Sequence, residues 1–442
     1  MASEEEEEML AFLGLSSMQE LFNDIPPQVR VEALALPPGM GEQEVVEKFD
    51  RTLSLNRAAD RVPTFLGAGY YDHYVPAAVD AILSRSEFYT SYTPYQPEVS
   101  QGMLQALWEY QALVCELTGM DAANSSLYDG STALGEAAIM SARITGRTEY
   151  VIPRAISWEK KAVLRSYAAG PGLRVREVDY DRDVGGLDLG ALGQAVGQDT
   201  AGVYVESPNL LGVLEEHLEE VREASADAVL TVGVNPISLG ILEAPGEAGA
   251  DIVIGEGQCL GGALNYGGPS LGVFACRQEH VRRMPGRVIG ATRDADGRRA
   301  FCMTLQTREQ HIRRDKAMSN ICTNEALMAV GAAVFLALLG RTGLRDLAWR
   351  NVRQAKELMA RLSRLRGFRV PRFRGTVFNE FTLEAPRPYG EAHRHLLAAG
   401  VQGGLPLAPH LPELERCALF TTTERHTRED HEALARALGE LA

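Results

Sequence analysis

The segment Ala250-Asp251-Ile252-Val253-Ile254-Gly255-Glu256-Gly257-Gln258-Cys259 runs an apolar strand to a polar end and delivers a glutamine there. A lysine in that place forms an imine with a carbonyl group, because its amine adds to the carbon and water leaves. A glutamine amide cannot do this. The gap is wide. The five lysines stand at 48, 160, 161, 316 and 356, so none falls between Ala162 and Asp315. Other parts of an imine-forming site are only partly present. Asp129-Gly130-Ser131-Thr132-Ala133-Leu134-Gly135-Glu136 sets small residues and hydroxyls at a helix start, where free N–H groups can cradle an anion. An ordinary capped helix reads the same way. The strand ending Leu230-Thr231-Val232-Gly233-Val234-Asn235 carries no acid to pair with a ring nitrogen. No histidine lies between His73 and His217 to stack on a ring, and Trp158 is the flat side chain nearest that position.

Three further segments are rich in residues that do chemistry. Phe88 to Gly102 holds Tyr89, Tyr92 and Tyr95 with Pro94, Gln96 and Pro97, a stiff polar loop of the kind that reaches into a neighbouring site. Asn265-Tyr266-Gly267-Gly268-Pro269-Ser270 places paired glycines before a strand, which lets the backbone approach another group closely or simply makes a tight turn. Gln306 to Lys316 is densely charged and suits either an anionic ligand or partner, or a solvated helix face. A metal site is not expected. The histidines are scattered, His393 and His395 read as surface residues, and cysteines 115, 259, 276, 302, 322 and 417 form no C-x-x-C pair. That cysteine pattern predicts reduced thiols in a cytoplasmic protein. No G-x-S-x-G elbow marks a serine hydrolase.

The elements that must position these residues follow a clear rhythm. Tyr150–Pro153, Leu173–Val178, Ala201–Val205, Ala228–Val232, Asp251–Ile254 and Ser270–Ala275 read as strands, with helices such as Leu189–Val196 and Leu214–Ala224 between several of them. This is the pattern of a mostly parallel sheet covered on both faces, placed within residues 66–330. Residues 1–65 read as an arm with short amphipathic helices, suited to packing on a partner. Residues 331–442 read as a smaller α+β domain, with long helices over Asn324–Leu339 and Gly343–Leu365, strands at Phe368–Val370 and Thr376–Leu383, and a last helix over Arg428–Leu441. A net charge of −15 argues against nucleic acid or an anionic membrane as partner. No stretch reaches the ~18 uninterrupted apolar residues of a membrane span, and no signal peptide is expected.

Taken together, Met9-Leu10-Ala11-Phe12-Leu13-Gly14, the Tyr89–Gly102 loop, Gly255-Glu256-Gly257-Gln258, Tyr266-Gly267-Gly268-Pro269, Thr307 to Arg314 and Ser319-Asn320-Ile321-Cys322-Thr323 resemble the glycine decarboxylase family, the P-protein of the glycine cleavage system. The resemblance spans nearly the whole chain and is to subunit 1 of the two-subunit bacterial type. It implies a fold-type I pyridoxal phosphate (PLP) transferase-like α/β fold. It also implies a lysine, and covalent PLP, on a partner subunit 2, with glycine as substrate and the lipoyl arm of H-protein as acceptor of the aminomethyl group. A heterotetramer of two subunit pairs would follow. Loops of this fold commonly cross into a neighbour's site, so the resemblance points to Tyr92, Tyr95 and Gln96 acting in trans, with Gly267 and Gly268 beside the partner's PLP phosphate. Two other readings stay open on the residues. One is a self-contained PLP enzyme using Lys160, Lys161 or Lys316, none of which follows the Asp251 strand. The other is a non-catalytic scaffold or regulator that keeps the fold.

Overall fold

The computed structural model describes residues 3–31, 33–58, 61–319, 321 and 323–441, in two compact units divided at Ala58. The first unit holds helices Ser3–Leu13 and Glu42–Leu53, with short 3-10 turns at Met18–Phe22 and Pro27–Val29. Glu44 reaches back to accept from the N–H of Gly41 at 2.9 Å, closing the start of the second helix. Val45, Val46, Phe49 and Leu53 line one face of that helix and are exposed.

The second unit is built on a seven-stranded sheet of order β1-β7-β6-β5-β4-β2-β3. The strands are β1 (Ala122–Ala123), β2 (Glu149–Pro153), β3 (Arg174–Val178), β4 (Thr200–Ser207), β5 (Val229–Val234), β6 (Ile252–Glu256) and β7 (Gly272–Cys276). Strands β2 to β6 pair in parallel, as the strand–helix rhythm predicts. Strand β7 instead runs antiparallel to both β6 and β1. The reason lies in its connection. A parallel return needs a crossover of a dozen or more residues, usually helical, and residues 257–271 carry only a short 3-10 turn at Asn265–Gly267.

The central strands are apolar on both faces. Val203, Val205, Leu230, Val232 and Val253 point to one side, while Tyr204, Val229, Ile252 and Ile254 point to the other. The alternation is the period of two expected of a strand buried on both faces. Helices Gln101–Thr118 and Ala326–Leu362 cover the first side; Gly130–Thr145 and Trp158–Ala169 cover the second. The Ala326–Leu362 element loses helical geometry at Gly340 (φ 57°, ψ −174°), so it is the two successive helices that the sequence predicts. Its first half is apolar enough to resemble a membrane span, yet Ala329, Val330, Ala332 and Phe335 are buried in the core.

A hairpin of β8 (Val288–Arg293) and β9 (Arg299–Thr304) packs beside the Gln101–Thr118 helix. The C-terminal region carries a three-stranded antiparallel sheet, β10 (Glu380–Glu384), β12 (Cys417–Thr421) and β11 (Leu405–Pro406), with Phe381 and Phe420 packed against Leu434 and Leu438 of the last helix. Three expectations change here. Phe368–Val370 forms only a bridge between Arg369 and Glu384, and the Thr376 strand begins at Glu380. The helix expected from Leu214 begins at Leu218, because the Leu214 N–H donates to the Thr376 carbonyl and Glu215 accepts from the Leu187 N–H.

Candidate active-site cleft

In an open parallel sheet, ligands sit outside the carboxyl ends of the strands. At the ends of β4, β5 and β6 there is a polar cleft lined by Tyr71, Lys160, Glu206, Asn235, Glu256 and Glu380. It is nearly full, with about 30 Å³ of free space. Side chains that line it or lie just behind its wall account for that.

Gln258 follows β6 and is buried. Its Oε1 accepts from the N–H of Tyr71 at 2.9 Å, and its Nε2 donates to the carbonyls of Tyr71 (3.0 Å) and Gly262 (2.7 Å). The amide is saturated by backbone and ties β6 to the Gly67–Tyr71 segment. Glu256 ends β6 and turns its carboxylate onto the start of helix Gly130–Thr145. Its Oε2 accepts from Gly130 N (3.0 Å), and its Oε1 accepts from Gln258 N (2.9 Å) and the Ser270 hydroxyl. Asp129 caps the same helix through Thr132 N at 2.7 Å. The helix start at Asp129–Thr132 is thus capped by Asp129, and the donors expected to cradle an anion there are taken by the protein's own carboxyl groups. Burial raises the Glu256 pKa, while the bonds from Ser270, Gly130 and Gln258 pull it back.

Lys160, from the start of helix Trp158–Ala169, forms an ion pair with Glu206 across the cleft. Asn235 stands where a ring-nitrogen acid is missing; its Oδ1 accepts from Ile237 N, and its buried Nδ2 has no protein partner. Glu380 accepts from the Tyr71 hydroxyl (2.9 Å) and Ala68 N (2.8 Å). A side chain at Gly67 would collide with Glu380 and Thr421, so glycine is required for this approach.

The residues singled out in the sequence lie elsewhere. Tyr92 and Tyr95 are 58% and 62% exposed, and Gln96 is exposed at the head of the Pro97–Val99 turn. Gly267 (φ 100°) and Gly268 (φ 155°) occupy an exposed turn whose backbone is open on the Cβ side. None of the five lines the cleft. Trp158 stacks on His410, with centroids 4.0 Å apart and planes 10° from parallel. Of the Ser319–Thr323 run, Asn320 and Cys322 lie outside the described residues. Sequence reasoning overlooked Glu256, although an acid closing a buried strand was a usable sign. Nothing in the sequence marked Arg287, which lies under the tyrosine loop.

Glu136, on the cradle helix, is buried, and burial raises its pKa from 4.5 to about 7 against a hydrogen bond from Ser319. The folded chain keeps this proton between pH 4.5 and 7 while the unfolded chain loses it. Stability thus falls as pH rises through that window and stays low above it. Glu136→Gln, which cannot ionise, should match the wild type near pH 4 and exceed it at pH 8, by at most about 3 kcal/mol. Denaturant melts at the two pH values check this; equal gaps at both would rule it out.

The P-protein family of the glycine cleavage system matches residues 1–438. This chain belongs to that family. Among its relatives, the P-protein named probable glycine dehydrogenase (decarboxylating) subunit 1 of Thermococcus onnurineus is 50% identical over 444 residues, covering 100% of this chain and 98% of that one. The protein of the same name from Desulfitobacterium hafniense is 46% identical, covering 99% and 98%. The crystal structure of an inhibitor-bound glycine decarboxylase (P-protein) superposes with a TM-score of 0.92 at 40% identity, covering 100% of this chain and 99% of that one. A sphingosine-1-phosphate lyase from Burkholderia pseudomallei shares the fold, with a TM-score of 0.68 at 15% identity. The chain therefore has the fold-type I PLP architecture. PLP does not fit its own cleft. Gln258 offers no amine, the Glu256 carboxyl already occupies the donors at the start of helix Gly130–Thr145, and the free space is far below the roughly 300 Å³ of a small-molecule pocket.

Proposed function

We propose that the chain is the lysine-free subunit 1 of a two-subunit glycine decarboxylase. Its partner, subunit 2, holds PLP on its own lysine, and the complex decarboxylates glycine and passes the aminomethyl group to the lipoyl arm of H-protein. The observation that carries this is Gln258, saturated by backbone in a site whose anion cradle is already filled. Full-length relatives named as subunit 1 support it. A heterotetramer of two subunit pairs is the expected assembly.

In this reading the chain contributes surface rather than cofactor. Bound PLP supplies an electron sink for the carbon that loses CO2. Tyr92, Tyr95 and Gln96 supply hydroxyl and amide donors on a loop stiffened by Pro94 and Pro97, and they orient the substrate. The Gly267–Gly268 turn, open on its Cβ side and with its own N–H groups donating to the Leu264 and Asn265 carbonyls at 3.2 Å, is proposed to lie beside the partner's PLP phosphate. The arm before residue 65 and the 66–330 region are proposed to form the partner contact, with 331–442 as the small domain. Borohydride reduction with PLP tests the assignment. The isolated chain should gain no pyridoxyl-lysine, while the mixed subunits should gain one per pair, in subunit 2. A stoichiometric label on this chain would overturn the proposal.

A further inference from the structure

Two arginine side chains are buried among the described residues, at Arg287 and Arg308, and they are satisfied very differently. The Arg308 guanidinium uses all three nitrogens on backbone carbonyls: Nε on Leu305, Nη1 on Met284 and Nη2 on Gly286. It is a structural clamp. Arg287, just before β8, engages only Nη1, which donates to Thr93 Oγ1 at 3.3 Å and to Asn324 Oδ1 at 3.4 Å. Among the described residues, Nε and Nη2 meet no protein acceptor, and no carboxylate lies within ion-pair distance. The Tyr95 ring lies 5.5 Å from the guanidinium carbon, a contact that offsets part of the charge but supplies no anion. Asn324 is itself fixed, donating to Ser125 (3.2 Å) and Ser126 (2.7 Å).

A largely buried guanidinium without a counter-charge is costly, and this one is held by Thr93 and Tyr95 on the tyrosine loop and by Asn324. Its free edge, Nε and Nη2, is the fork that matches the two oxygens of a carboxylate. It sits beneath the loop carrying Tyr92, Tyr95 and Gln96. We infer that Arg287 is the receptor for the carboxylate of the amino-acid substrate, delivered to the partner's site under that loop. The inference rests on the reading that the tyrosine loop faces the partner's site. The phosphate of the partner's cofactor presents the same chemistry, so the test separates the two anions.

The assembled complex is titrated with glycine and with methylamine, which has the same amine and no carboxylate, and binding is followed by the cofactor's absorbance. Cofactor affinity is measured in parallel. In Arg287→Gln, the preference for glycine over methylamine should fall at least tenfold while cofactor affinity holds. Arg287→Lys, which keeps the charge but lacks the fork, should lose part of that preference. A purely structural arginine would weaken both amines equally. If Arg287→Gln fails to assemble, Arg287→Lys is read by the same ratio. An unchanged ratio overturns the inference, and so does loss confined to cofactor affinity, which would assign the anion as phosphate. An unchanged ratio alongside a defective Tyr95→Phe complex would sink this inference and leave the in-trans reading standing.

Discussion

Glycine–bicarbonate exchange by the assembled complex should fall at least tenfold when Tyr95→Phe is introduced, with assembly unchanged. The substitution keeps the ring, and so keeps the contact with Arg287. It removes one hydroxyl from a loop whose backbone is pinned by Pro94, the Pro97–Val99 turn and the Tyr95 N to Thr93 carbonyl bond of 2.9 Å. A tenfold loss corresponds to about 1.4 kcal/mol of transition-state stabilisation, the size expected for one positioned donor. Tyr92→Phe is the companion measurement. If the tyrosines only pack a subunit face, the rings suffice and both variants keep full exchange. That result would remove Tyr92 and Tyr95 from the site.

Glu256→Ala should cost the chain about 3–5 kcal/mol, and inorganic phosphate or sulfate should restore part of it. Removing this carboxylate strands the N–H groups of Gly130 and Gln258 and the Ser270 hydroxyl in a buried place. Each stranded group costs about 1–3 kcal/mol. The vacated spot is a helix N-terminus with aligned donors, so an oxyanion can take the carboxylate's position. Denaturant melts with and without 50-fold changes in phosphate read both effects. A loss under about 1 kcal/mol, or no response to phosphate, would mean that Glu256 is not the cradle's anion.

How much was readable in advance depended on how local the signal was. The alternation of Val203 through Val205 and Leu230 through Val232 announces buried strands, and Gly340 marks the break between two apolar helices. The missing lysine was plain because imine chemistry admits no substitute. The direction of β7 was not readable from its residues, since Gly272–Cys276 is as apolar as its parallel neighbours and only the connection decides. The same holds for the site. Glu256 and Gly130 are far apart in the chain and meet only once β6 and the cradle helix are placed. Arg287 gains its meaning from Thr93 and Asn324, neither of which is near it in sequence. Tyr92 and Tyr95 were visible as types, but their exposure was not.

The carboxylate seated at that helix start also bears on which changes the chain can accept. Independent cofactor binding by this chain would need an amine at position 258 and an empty cradle. Lysine at 258 without the second change meets a site still closed by Glu256, and it removes the acceptor that the Tyr71 N–H now uses and disturbs the hydrogen bonds to the Tyr71 and Gly262 carbonyls. Loss of Glu256 without the first leaves an unstable chain with nothing to bind covalently. Each step by itself is expected to cost stability, and the two effects are coupled through one shared pocket. On the proposed two-subunit reading, no single substitution at 256 or 258 gives this chain its own cofactor site, so the pair of residues works like a ratchet.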